Sequence, residues 1–375
     1  DIIFPSFTSV AEAHDWYTLE RSNLMTATRA AANAGLHEEA WRLAATLHHI
    51  YRILGPIDDW RVTTEFGLRA ARRTGSRSAE AELLESMATV CVKTHKLADG
   101  ARYFDMCLEA RRETGDRLGE AATLNGLGQL NLRRRNLTDA ERLFNECLAI
   151  ARELDDDLWQ AVARGNLGVT AYQLLDNTTA IEFALRNLEY HETVGNLLGQ
   201  GDSLHALARS YRELGHTSKA LDAIKKAIEI ARKNQNSTWE AYWLIEYGHI
   251  ERATGRVFDS LTSYQRATVL HRQHGDLSRE AQALDGAGLA YRNLERPKDS
   301  ADFHRLAVSI YRETRDLWLL GVSLSNLAAA VELLGDAEKA RQFREESLIS
   351  IATFDDPRAQ ALRRQVRDEL GTSDA

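Results

Sequence analysis

Three arginines, Arg212, Arg252 and Arg292, stand forty residues apart. A chain that repeats with that spacing stacks them on successive elements, roughly 10 Å apart, where like charges repel unless something neutralises them. Glu213, Glu246 and Glu251 lie close enough in sequence to do so. His205, Arg209 and His249 occupy nearby positions of the same blocks. Two readings fit: a solvated charged face with local ion pairs, or a groove whose guanidinium forks take the carboxylates of an acidic protein or peptide. Asn125, Asn166 and Asn326 recur in the strings LNGLG, GNLG and SNLA. An Asn amide both donates and accepts, so it can pair with the backbone of an extended peptide whatever that peptide's sequence, or bond only to water or to the next helix. Aromatic residues cluster once, at Trp239, Tyr242, Trp243 and Tyr247. Trp243 and Tyr247, spaced i, i+4, suit packing between helices.

Little else in the chain has the makings of chemistry. No GxxxxGK[ST] phosphate loop and no basic helix-turn-helix element occur. His48 and His49 are adjacent and point to different faces of a helix. His271 and His274 can meet at i, i+3 but lack a third ligand at clear spacing. Asp155 and Asp157 read as solvated turn residues. Cys91, Cys107 and Cys147 show no metal spacing and are expected as small core residues. Hence no catalytic residue, no metal and no cofactor is expected. A net charge of −8 argues against direct nucleic-acid or membrane binding, since both favour a basic surface. Without an apolar run of 18 residues or a signal sequence, the expected location is the cytoplasm. A chain opening on Asp1 is read as part of a longer protein.

The elements that position these residues follow from a strict forty-residue period, with no insertion or deletion over many blocks. Small residues recur at Ala140, Ala180, Ala220, Ser260, Ser300 and Ala340. Apolar residues recur at Leu108, Leu148, Leu188, Ile228, Val308 and Leu348, with Thr268 the exception. In the block 121–160, Leu124, Leu127 and Gly128 share one helical face, and Ala140, Phe144, Cys147, Leu148 and Ala151 share another. The break between them predicts a cap at Thr138 or Asp139. Gly55, Gly215, Gly255 and Gly335 suit the end of the first helix, and Gly75, Gly115, Gly195 and Gly275 the end of the second. Small residues at the eighth and twentieth places, such as Gly168 and Ala180, predict two backbones in close approach with nothing larger than a methyl between them.

The expected fold is all-α, a solenoid of stacked helical hairpins. Residues 1–40 form an atypical N-terminal helical cap, with an extended piece to Pro5, a helix capped by Ser9 and a second helical stretch to Gly35. Eight hairpin repeats cover 41–360, the first irregular because Trp60 stands at the small twentieth place and Pro56 in the turn. A capping helix and tail occupy 361–375, the helix reaching back to 358 and the last four residues disordered. An array escapes the size limit of a single core because each unit packs only on its neighbours.

Leu167-Gly168, Tyr172, Ala180 and Ala184, and Leu204, Leu207, Tyr211, Ala220 and Ala227, make the chain resemble tetratricopeptide repeats of the forty-residue type. The proline that closes the 34-residue form is missing and the second helix is longer. That resemblance implies a right-handed superhelical solenoid of tetratricopeptide-like helical hairpins whose first helices line a concave groove, and so places Asn125, Asn166, His205, Arg209, Arg212, Tyr242, His249, Arg252, Arg292 and Asn326 as its partner-binding residues. At the head of the chain, Phe7, Ala11 to Trp16, Glu20 to Leu24, Ala30 to Ala32 and Gly35 are similar to the segment that follows the nucleotide-binding module in AfsR-like regulators of actinobacteria. This resemblance implies a sensing array that controls upstream NB-ARC ATPase and DNA-binding parts of the same protein, in regulation of antibiotic biosynthesis. A stand-alone tetratricopeptide adaptor and a peptide-pheromone receptor are the alternatives.

Overall fold

The computed structural model describes residues 7–54 and 56–371. Among these are eighteen α-helices and no strand. A long first helix, α1 (Val10–Asn33), precedes an alternation of two helix sets. The A helices are α2 (His37–Leu54), α4 (Arg77–Lys93), α6 (Arg117–Arg133), α8 (Asp157–Gln173), α10 (Leu197–Glu213), α12 (Ser237–Ala253), α14 (Leu277–Asn293) and α16 (Leu317–Glu332). Each is followed by a B helix: α3 (Ile57–Thr74), α5 (Leu97–Thr114), α7 (Leu137–Glu153), α9 (Asn177–Thr193), α11 (Thr217–Lys233), α13 (Val257–Gln273), α15 (Pro297–Thr314) and α17 (Ala337–Ser350). The last helix is α18 (Pro357–Leu370). The eight hairpins α2/α3 to α16/α17 thus start four residues ahead of the block boundaries read from the sequence.

Turn chemistry sets those boundaries. Asn196, Asn236, Asp276 and Asp316 each accept a hydrogen bond from the backbone N–H three residues on, which starts the next A helix. Asp176 and Asp336 do the same for B helices. Thr138 and Asp139, expected as caps, instead lie inside the first turn of α7, because that helix already begins at Leu137. An arginine late in a B helix reaches the glutamate eight residues on across the turn, at Arg72–Glu80, Arg112–Glu120, Arg232–Glu240 and Arg272–Glu280, with distances of 2.6 to 3.1 Å. Ser9 caps α1 by accepting from Glu12 N. No break interrupts α1, since nothing between Leu19 and Leu24 is a helix breaker; the two expected stretches are one helix. The expectations for Pro5, Gly55 and the last four residues fall outside the described residues.

Within one to three residues of the end of most helices stands a left-handed residue, whether or not it is glycine. Gly195 and Gly275 have positive φ, but so do His95, Arg135, Asp155, Leu175, Gln235, Glu295 and Arg315. The short turn between consecutive helices uses this conformation, and at these seven positions an ordinary side chain adopts it.

Two compact units divide the chain, Asp1–Arg133 with Arg142–Gln160, and Arg134–Glu141 with Ala161–Ala375. In the first, Leu83, Leu84 and Cys107 centre one core, and Tyr51 and Trp60 another. Trp60 is fully buried and donates to Ser86 Oγ at 2.7 Å; His48 Nδ1 and Thr64 Oγ1 share the same hydroxyl at 3.0 Å. In the second unit Ile224, Trp243 and Leu244 form one core, and Tyr311, Leu324 and Val331 another. All three cysteines are free and buried, and burial pushes the Cys147 thiol up to about 11.

Gly128, Gly248 and Gly288 do not bring bare backbones together, as the sequence suggested for such places. They make room for rings. Gly128 lies under Phe144, Gly248 under Tyr264 and Gly288 under His304, so a methyl group at any of the three would meet the ring. At Gly168 the expected approach to Ala180 is present: a Cβ there would sit 3.4 Å from Phe183 Cβ and 3.7 Å from Ala180 O, an ordinary contact.

Candidate functional site

The candidate site lies in the second unit, on the A helices α8, α10, α12, α14 and α16. Residues at the twelfth place of successive blocks are Tyr172, Arg212, Arg252, Arg292 and Glu332. The arginines therefore continue a row that opens on an aromatic ring and closes on a carboxylate. Sequence reading missed Tyr172 and Glu332 although their spacing was visible.

The three arginines of the row are not equivalent. Arg212 Nε donates to Glu246 Oε1 at 2.6 Å, and Arg212 Nη1 lies 3.2 Å from Glu213 Oε1. Glu246 is 6% exposed, so this pair is an internal tie between α10 and α12. Burial pushes the Glu246 carboxyl up, and Arg212 pulls against that shift. Glu251 turns elsewhere, accepting from Ser263 Oγ at 2.6 Å. Arg252 meets the Tyr264 hydroxyl and has a buried Nε with no hydrogen-bond partner. Arg292 is held below its ordinary value by burial and by the charge of Arg252. The cationic pair Arg252 and Arg292 is thus the least neutralised part of the row.

Arg209 stacks its guanidinium 4.1 Å from the Tyr172 ring centre, and the Tyr172 hydroxyl donates to Glu213 Oε1 at 3.2 Å. His205 packs against the Tyr242 ring at 4.8 Å, and Arg279 lies over the same ring at 4.6 Å. Arg279 was not foreseen; it sits near the N-terminus of α14, the helix whose other end carries Arg292. His249 Nδ1 is 2.7 Å from the Tyr264 hydroxyl. Burial, with Arg209, Arg279 and Arg212 nearby, lowers His205 to about 3. Burial, with Arg212 and Arg252, does the same for His249. Both imidazoles are neutral at physiological pH and add no charge to the face.

The asparagines behave differently from what an extended-peptide reader requires. Asn326 Nδ2 donates to Asp285 Oδ2 at 3.0 Å. Asp285 Oδ1 in turn meets His304 Nδ1 at 2.7 Å, so Asn326 belongs to a tie joining α14, α15 and α16. Asn125 is on α6 in the other unit and is buried, covered rather than presented to a ligand. Asn166, on α8, remains half-buried on the face. Trp243 is fully buried against Gly201, whereas Tyr242 is part of the polar face. The two candidate histidines His271 and His274 part company: His271 is buried, and His274 Nε2 is 3.0 Å from Ser237 Oγ. No group of three His, Cys, Asp or Glu could hold a metal among the described residues. Nor, among them, is any helix long and apolar enough to cross a membrane.

The tetratricopeptide repeat family model matches residues 79–153 and 159–233, so the chain carries tetratricopeptide repeats there. No curated protein matches the sequence. Among solved structures, the apo form of RapI is 14% identical with a TM-score of 0.60, covering 73% of this chain and 98% of its own. A STAND protein with a tetratricopeptide repeat sensor, PH0952 from Pyrococcus horikoshii, is 17% identical with a TM-score of 0.58. That match covers 92% of this chain and 52% of the other, about half its length. The Rap conjugation gene regulator of plasmid pLS20, solved in complex with the Phr* peptide, is 12% identical with a TM-score of 0.58 over 95% of this chain and 98% of its own. These likenesses show the fold: an all-α array of tetratricopeptide-like helical hairpins.

Proposed function

We propose that this array is the sensing and protein-interaction part of a bacterial transcriptional regulator of the AfsR-like kind. It binds an acidic protein or peptide segment on the A-helix face of α10, α12 and α14, and its occupancy biases upstream NB-ARC and DNA-binding parts of the same protein. The array itself carries out no reaction and uses no cofactor. One observation carries the acidic partner: Arg252 and Arg292 face each other's charge without a carboxylate partner such as Glu246 gives Arg212. A carboxylate entering there relieves the repulsion and gains charge-assisted hydrogen bonds, worth about 1.5–3 kcal/mol each. Similarity of fold to a STAND protein with a tetratricopeptide sensor supports the regulator setting.

Calorimetric titration of an acidic peptide into wild type and an Arg252→Ala/Arg292→Ala variant tests the site. Affinity should fall at least tenfold in the variant and decline with added salt, because an open face is screened at physiological ionic strength. Equal affinity removes the site. A phosphate loop encoded upstream of this segment supports the regulator; its absence there favours a stand-alone adaptor. The likeness to a Rap regulator holding the Phr* peptide favours a second reading, a receptor for a short signalling peptide on the same face.

A further inference from the structure

The last helix is tied to the A-helix face by contacts that span almost the whole second unit. Asp356 accepts two hydrogen bonds from Arg135, Nε at 2.7 Å and Nη2 at 2.6 Å, across 221 residues of sequence. Both partners are buried. Arg135 also lies 3.8 Å over the Trp318 ring, and Trp318 meets the Phe354 ring edge-on at 6.2 Å. Two residues further, Arg358 stacks 4.3 Å from the Tyr172 ring and donates through Nη2 to Tyr172 O at 3.0 Å. Arg209 occupies that same ring. At the other end of α18, Glu369 accepts from Arg344 Nε at 2.9 Å and its charge is felt at Arg292.

Polar groups dominate this attachment. Of the fourteen residues of α18 only Ala359 and Val366 are buried. A helix of that length spans about 21 Å, and so small an apolar anchor does not by itself hold it down. Arg135, in the left-handed conformation of its turn, is aimed at a carboxylate that also caps α18, accepting from Arg358 N at 3.1 Å and Ala359 N at 3.2 Å. The segment therefore presents an aromatic ring, a carboxylate and a guanidinium in order to Trp318, Arg135 and Tyr172.

We infer that Phe354–Leu370 is an internal ligand of the second unit: it docks on the surface made by Arg135, Tyr172 and Trp318, and an acidic partner must displace it to reach Arg209 fully. The inference rests on the reading of the A-helix face as a binding surface, but its docking site is separate from Arg252 and can fail separately. The pseudo-ligand is acidic where it meets arginine, at Asp356 and Glu369, which is the chemistry expected of the displacing segment.

A labelled synthetic peptide of residues 352–371, added in trans to the full chain, tests this directly. In wild type the docking surface is already filled, so the peptide should bind weakly. In Asp356→Asn/Arg358→Ala, which keeps a helix-capping residue but loosens the internal segment, the peptide should bind at least tenfold more tightly. Adding Arg135→Ala should abolish that gain. Equal affinity of wild type and the double variant, or undetectable binding to both, overturns the inference. Hydrogen exchange on the wild-type chain provides a second measure should the variant unfold. Amides of 357–370 should exchange as one group faster than those of α16, and faster still with excess peptide; protection equal to α16 and unchanged by peptide also overturns it. Because Arg252→Ala/Arg292→Ala leaves Arg135 and Tyr172 in place, loss of acidic-peptide binding and loss of docking are read independently.

Discussion

Arg212 and Glu246 are joined at 2.6 Å between adjacent A helices, which takes one rung out of a ladder that looks uniform in the sequence. Stability and binding should therefore separate along the row. Arg212→Ala leaves a buried carboxylate without its partner and should cost about 3–5 kcal/mol of unfolding free energy. Arg292→Ala removes a charge already disfavoured by Arg252 and should be neutral or slightly stabilising. Thermal melts of the two variants check this; equal losses would mean that the rungs are alike after all.

Tyr264 is wedged against Gly248 and Gly286, with its hydroxyl on His249. Gly248→Ala puts a methyl 2.7 Å from the ring, so the ring must shift and strain the His249 bond. Overpacking of this kind costs about 1–3 kcal/mol. Gly168→Ala, where the nearest atom is 3.4 Å away, should cost nothing or stabilise through better helix propensity. A denaturant titration in which both variants lose the same stability contradicts the ring-over-glycine arrangement.

Leu175 holds a left-handed conformation, φ 67°, in the turn after α8 and is 44% exposed. Replacing it with glycine removes a backbone penalty of about 1 kcal/mol while giving up little burial. The melting temperature of Leu175→Gly should rise. A fall would mean that Leu175 packs in a way its exposure conceals.

Acid should loosen the second unit before carboxylates titrate. His205 and His249 have folded values near 3 against about 6.5 in the unfolded chain. Below 6.5 the unfolded chain binds protons that the folded one refuses, so stability is full above that pH and falls as pH drops from 6.5 towards 3. Each group contributes roughly 1.4 kcal/mol of loss per pH unit in this window. Urea titrations at pH 7.5 and 5.5 should show the drop, and His205→Phe should reduce it by about half of the two-histidine share. An unchanged pH dependence in that variant would place His205 in contact with solvent.

By itself the sequence determined the repeat. A forty-residue period of small and apolar residues leaves hairpins as the only way to bury every apolar stripe, and the place of Arg212, Arg252, Arg292, Arg209 and Tyr242 on A helices follows from the same count. Glycine positions located most turns for the same local reason. Only the tertiary structure decided how those side chains are used. Which arginine is quenched depends on Glu246 reaching across from the next helix, and whether Asn326 is free depends on Asp285 and His304 arriving from two others. A glycine in a helix looks the same in sequence whether backbone or a ring fills the space beside it; Phe144 and Tyr264 settle that by packing. The bond between Arg135 and Asp356 lay beyond any local pattern, because 221 residues separate them and only the accumulated placement of the helices between brings their side chains together.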